Sequence, residues 1–175
     1  KRRGIGEADR VLTVFTKEYG KLRLLAKGVR RISSRRAPHL ELFSQVELTI
    51  HKGQTWDVIS EASSNYLGNQ LSNSLEKMTL AYFCGELVDR LLPEHQEHRE
   101  IYYLLLDALN QIGKITRPDD WEPLAEAFAN TLLWDLGYLP RSRRLTLLTL
   151  EPFIERLIEK KLRSWPLLTK LRSSV

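Results

Sequence analysis

The spacing of apolar residues changes once along this chain, and that change limits its fold more than any other feature. Up to about residue 62 the pattern has the period of two expected of half-buried strands. Arg10-Val-Leu-Thr-Val-Phe-Thr16 is rich in β-branched and aromatic residues, and Lys17-Glu-Tyr-Gly20 supplies a turn that makes it one arm of a hairpin. The other arm, Lys21 to Lys27, sets Leu22, Leu24 and Ala26 on one face and Lys21, Arg23 and Lys27 on the other, with Gly28 permitting a bulge. Arg30-Arg-Ile-Ser-Ser-Arg-Arg36, ended by Ala37-Pro38, reads as a mobile loop. Strand pattern resumes from Phe43 to His51 and, after a turn at Lys52-Gly-Gln54, from Thr55 to Glu61. At least four short strands joined by Gly-containing turns predict a small antiparallel β-barrel.

Beyond residue 62 the apolar positions fall three and four apart, the mark of helices. One helix is expected from Leu75 to Leu92, stopped by Pro93, and a second from Glu97 to Ile115 with Ile101, Leu104, Leu105, Ala108, Leu109 and Ile112 facing inward. A third, capped by Asp119 or Asp120, runs through Trp121, Phe128 and Leu132 to a stop at Gly137 and Pro140. Residues 141–149 look irregular, and a last helix is expected from about Leu150 to Arg163, with Phe153, Leu157, Ile158 and Leu162 on its apolar face. The expected fold class is therefore α+β: a barrel domain over 1–62 followed by an all-α domain over 63–175. A chain of 175 residues is long enough to bury roughly 70% of its unfolded surface, so a real core is available.

Charge is divided as unevenly as periodicity. Residues 1–36 hold 12 basic and 3 acidic groups, residues 37–140 hold 6 and 16, and residues 141–175 hold 9 and 3. A basic segment next to an acidic middle points to a polyanion partner for the N-terminal part. A solvated surface is the simpler reading of any single basic run. Within this segment, however, arginine outnumbers lysine 8 to 4, which suits the forked geometry of phosphate. Four guanidinium groups at Arg30, Arg31, Arg35 and Arg36 also repel one another unless an anion neutralises them. Tyr19, in a turn between basic residues, is the candidate for stacking on a base, with packing on its own sheet as the plainer role. Phe15, Phe43 and Trp56 are expected in core or interdomain contacts. Arg141, Arg143 and Arg144, after the Gly137-Tyr-Leu-Pro140 stop, are candidates to receive an acidic peptide or further phosphate.

Catalytic signals are thin. No phosphate-cradling glycine loop, nucleophile elbow or His-Glu-x-x-His motif is present, so no enzymatic activity is expected. His95 and His98 have a spacing that can bind metal, but beside Pro93 they read as a solvated helix start, and Cys84 reads as core. Asp119-Asp120 is explained by helix capping. The lone cysteine forbids an internal disulfide and makes a reducing, intracellular compartment the default. No apolar run approaches the ~18 residues of a membrane span. The chain begins with Lys1, without a signal-peptide layout, and its ends are expected to have been trimmed, which leaves open whether a further strand completes the barrel.

Several of these residues together resemble the bacterial recombination mediator family RecO. The resemblance is carried by Gly6-Glu-Ala-Asp9, Thr13-Val-Phe-Thr-Lys-Glu-Tyr-Gly-Lys21, Ala26-Lys-Gly-Val-Arg-Arg31 with Ser34-Arg35, and Leu42-Phe-Ser44. It continues at Glu86-Leu-Val-Asp89, Leu92-Pro-Glu94, Leu133 to Pro140 around Leu-Gly-Tyr-Leu-Pro, and Lys161-Leu-Arg-Ser164. It implies an OB-fold-like barrel followed by a helical domain, and a non-enzymatic role in DNA repair and homologous recombination. The implied activities are binding of single- and double-stranded DNA, annealing of complementary strands and loading of recombinase onto strands coated by single-strand-binding protein. The implied partners are RecR and the acidic C-terminal tail of single-strand-binding protein, and the location is the cytoplasm, associated with the nucleoid. On this reading the DNA-binding residues are Arg10, Tyr19, Lys21, Arg23, Lys27, Arg30, Arg31, Arg35 and Arg36, and the partner-binding residues are Arg141, Arg143 and Arg144. Many members carry a four-cysteine zinc module after the Leu-Gly-Tyr-x-Pro segment; residues 141–149 contain no cysteine, so no zinc is expected. Two other classes compete: an adaptor that docks acidic proteins without touching DNA, and a nuclease or phosphodiesterase built on His51 or His39 with a carboxylate.

Overall fold

The computed structural model describes residues 1–65, 71 and 73–172. The chain divides into two compact units, Lys1–Asn69 with Glu94–Glu97, and Gln70–Pro93 with His98–Val175. The first unit holds a five-stranded sheet: β1 (Arg2–Ile5), β2 (Asp9–Thr16), β3 (Gly20–Ala26), β4 (Gln45–His51) and β5 (Asp57–Asn65). Its strand order is β1-β2-β3-β5-β4, antiparallel throughout except for the parallel pair β3 and β5. This is the OB-fold order in a sheet that does not close: β1 and β4 remain its two edges among the described residues. The expected barrel is thus an open one. Arg2 on β1 pairs with Glu41, just ahead of β4, at 2.5 Å.

Alternation decides which face is inside. Leu12 pairs with Leu24, Val14 with Leu22 and Arg10 with Ala26, and this face forms the core with Ile59 of β5. Two residues from the long β3–β4 connection complete it. Val29 is drawn in directly after Gly28, and a 3₁₀ turn over Ala37–Leu40 delivers Leu40. Gly28 has a φ of +65° and forms the turn that ends β3, not a bulge within it. The bulge lies between β4 and β5: Thr49 faces Glu61 and Ile50 faces Ile59, which leaves Ser60 over, its hydroxyl donating to the Thr49 carbonyl at 3.1 Å. Phe43, at a φ of +62°, lies outside the strand expected to begin there.

The second unit contains helices α1 (Leu75–Leu91), α2 (Arg99–Lys114), α3 (Trp121–Asp135), α4 (Leu147–Ile158) and α5 (Trp165–Arg172). The Ser74 side chain caps α1 by accepting from the Lys77 N–H. Leu80, Phe83, Cys84 and Leu87 bury one side of α1 almost fully, and Trp165 of α5 packs its ring 6.0 Å from that of Phe83. Asp120 makes no cap bond to α3, because a 3₁₀ turn over Pro118–Asp120 has already started the helical rotation. The last expected helix ends sooner than expected, and a further helix that was not expected follows it. The first starts earlier, at Leu147, buries Leu147, Leu150 and Ile154 rather than Leu157, and ends where Glu159 turns left-handed. The second, α5, starts because Glu86 accepts the Arg163 and Ser164 N–H groups and the Ser164 hydroxyl. No helix among the described residues is long and apolar enough to cross a membrane.

Candidate nucleic-acid interface

The seven residues Arg30–Arg36 are held outside the sheet by apolar anchors at both ends, Val29 before them and Ala37 with Leu40 after. Backbone bonds fix the loop between. Arg30 N–H donates to the Ala8 carbonyl at 2.9 Å, Arg31 N–H to Gly28 at 3.1 Å and Ser34 N–H to Arg31 at 2.9 Å. The Asp9 carboxylate accepts the Gly28 N–H at 2.7 Å, tying the loop's root to β2. The segment expected to be mobile is therefore a bonded structure.

An open cleft of about 760 Å³ lies against this loop, lined by Lys27, Arg31, Arg35, Arg36, Asp9 and three serines at 33, 34 and 60. Four cations face one carboxylate, and that carboxylate already accepts a backbone N–H. Ser34 Oγ is buried with no partner among the described residues. Such a surface can take anionic oxygens through forked and single donors together.

The other expected DNA-binding residues divide. Tyr19 is 67% exposed: Thr16 Oγ1 accepts its backbone N–H and donates to the Gly20 carbonyl, so the turn is closed by Thr16 and the ring is left outside. Arg30 is exposed and donates to the Gly6 carbonyl at 3.2 Å. Arg36 is different in kind. It donates to the carbonyls of Ile59, Lys27 (2.7 Å) and Ser60 (3.5 Å), clamping the loop's end to β5, so most of its donors are committed within the fold. Arg10 shares the face of Leu12 and Ala26, opposite to that of Arg23. The expected open cationic face of β3 is also corrected. Lys21 is 7% exposed, and Arg23 is paired with Glu94 at 2.6 Å. The cause is the Glu94–Glu97 segment: the backbone at Glu94 forms a parallel β-bridge with that at Lys21, and His95 N–H donates to the Lys21 carbonyl at 3.0 Å, along the edge that β5 takes farther on.

In the helical unit, Arg141, Arg143 and Arg144 are exposed on a short connection whose backbone is fixed. Fully buried Asn130 on α3 accepts the Leu145 N–H and donates to the Leu145 carbonyl, both at 2.8 Å. Trp134 Nε1 donates to the Arg143 carbonyl at 2.8 Å, and Glu126 accepts the Leu147 N–H. Arg141 pairs with Asp135 at 2.8 Å. The roles of Asn130, Glu126, Trp134 and Glu86 escape sequence reading; a lone Asn on an otherwise apolar face is the only signal for any of them. His39, a candidate catalytic base, is bonded to the Ser64 hydroxyl at 2.8 Å rather than to a carboxylate. Trp56, expected in core or interdomain contacts, is 37% exposed, and Cys84 is buried, which pushes its thiol well above the ordinary range.

Comparison with known proteins agrees with this geometry in extent. Residues 1–66 match the family model described as recombination protein O N terminal, and residues 72–147 match recombination protein O C terminal. The DNA repair protein RecO of Symbiobacterium thermophilum is 38% identical over 138 residues, 79% of this chain and 54% of that protein. Its namesake in Bifidobacterium adolescentis is 36% identical over 142 residues, 79% of this chain and 56% of that protein. That of Pelotomaculum thermopropionicum is 31% identical over 138 residues, 79% and 52%. The chain thus spans about half the length of the curated relatives it matches.

Proposed function

The chain belongs to the recombination protein O family, and from that premise we propose that it serves as a non-enzymatic DNA repair and recombination mediator. Its sheet unit holds single- and double-stranded DNA through the phosphates. The observation that carries this reading is the cleft beside the Arg30–Arg36 loop, where Lys27, Arg31 and Arg35 stand with Asp9 as the only carboxylate in the lining. Phosphate oxygens take the charged donors of this cleft, and because no base edge is read, binding is independent of sequence. Screening of phosphate repulsion lets two complementary strands approach, and base pairing then proceeds without a bond being broken in either strand. Tyr19 offers an exposed ring for unpaired bases.

The helical unit docks the acidic C-terminal tail of single-strand-binding protein on Arg141, Arg143 and Arg144. The Asn130 and Trp134 bonds hold that connection in one shape, so little ordering entropy is lost when a peptide binds. RecR completes the proposed set of partners, and strand loading with recombinase is the step served. The place of action is the nucleoid. An annealing assay on complementary oligonucleotides coated with single-strand-binding protein tests the reading. Faster annealing with the chain than without it is expected, and an unchanged rate contradicts the reading.

A further inference from the structure

Ile32 is the most exposed large apolar side chain among the described residues; the ring or aliphatic group of every other stays partly covered. Single exposed apolar residues are commonplace and by themselves mean nothing. This one is distinguished by its position. Arg30 and Arg31 precede it, Arg35 and Arg36 follow, and no carboxylate lies between. A second open cleft, of about 670 Å³, is lined by Glu7, Ala8, Arg30 and Ile32 itself. Arg31 and Ser33 line both this cleft and the larger one, so the segment that carries Ile32 forms the ridge between two cationic hollows. The ridge is fixed by the backbone bonds at Arg30, Arg31 and Ser34 and by the Arg36 clamp, and a β-branched side chain has few rotamers to lose.

Resting on the nucleic-acid reading above, we propose that Ile32 is an apolar wedge that inserts between adjacent bases of the strand whose phosphates lie in the two hollows. A strand passing from one hollow to the other must cross the ridge, which brings a base step over Ile32. A rigid aliphatic group placed there can part the stacked bases, with cations on both sides holding the phosphates of the opened step. Insertion into an anionic membrane would use the same two chemistries, but it needs a broad apolar face, and Ile32 has only serine and arginine beside it. Opening a base stack needs only one side chain.

The test uses the full chain with single-stranded and duplex oligonucleotides carrying 2-aminopurine, whose emission rises when its neighbours unstack. Wild type is compared with Ile32→Ala, Ile32→Phe and Lys27→Ala/Arg31→Ala. Expected results are a rise in emission on saturation with wild type, loss of most of that rise in Ile32→Ala with affinity largely kept, and retention of the rise in Ile32→Phe. Loss of affinity is expected in Lys27→Ala/Arg31→Ala. Ile32→Ala leaves the thermal unfolding midpoint unchanged because the side chain touches no core. An equal rise in wild type and Ile32→Ala overturns the wedge while the DNA reading stands. So does an Ile32→Ala defect confined to binding phosphatidylglycerol vesicles. Failure of wild type to bind any oligonucleotide removes the underlying reading instead.

Discussion

Asn130 is buried with both amide protons donated and its oxygen accepting, and its bonds to Leu145 replace water for two backbone groups to which no other described residue is bonded. Truncation to Ala leaves that N–H and carbonyl buried and unpaired. The expected loss is about 2–4 kcal/mol, read from denaturant unfolding, because each orphaned polar group costs roughly 1–3 kcal/mol. A loss under ~1 kcal/mol would show that Leu145 finds other partners. Arg36 shows the opposite case, a cation whose charge suggests a ligand and whose donors serve the fold. Sequence gives both residues the wrong weight for one reason: what a polar group does depends on which acceptors surround it, and Ile59 and Leu145 lie well away along the chain.

Among the elements, those legible beforehand are the ones whose own sequence carries their stabilising pattern. Hairpin β2–β3 alternates and helices α1 to α3 repeat their apolar positions over several turns, so burial alone selects them. β1 and α5 are not legible in this way because their cause is distant. Arg2-Arg-Gly-Ile5 has no alternation and becomes a strand by pairing with β2, while α5 depends on Glu86. The cationic loop is visible from composition; the cover over Lys21 is not, since it arrives from Glu94. The turn between α4 and α5 also gives a pH test. Glu155 accepts from Lys161 Nζ at 2.6 Å and from the Leu162 N–H at 3.0 Å, and these bonds hold its carboxyl below the ordinary range. A lowered folded value means the contribution is present above the unfolded carboxylate value and lost as pH falls through the folded one. Nearby Glu151 is shifted the other way, first by burial and then by the Glu155 charge. Glu155→Gln is therefore expected to lower the unfolding midpoint at pH 7 and to converge on wild type as pH falls below about 4. A gap that stays constant down to about pH 3 contradicts this role.

At the scale of the molecule, a net charge of +5 conceals a segregation: the first 36 residues carry a net +9, all within the sheet unit. The fold does not leave that charge evenly available. Glu41 and Glu94 pair with Arg2 and Arg23, Lys21 is covered and Arg36 is clamped, while Lys27, Arg31 and Arg35 stand together in the lining of one cleft, next to exposed Arg30. Whether that cluster holds a polynucleotide backbone is measured most directly by the salt dependence of binding to oligo(dT) and to mixed-sequence strands. Lys27→Ala/Arg31→Ala/Arg35→Ala, with Arg36 retained so that the loop stays anchored, is compared with wild type. The account predicts weaker binding to both strands alike and a slope of log affinity against log salt shallower by up to ~0.7 for each phosphate no longer neutralised. Equal slopes and affinities for the two proteins would contradict it.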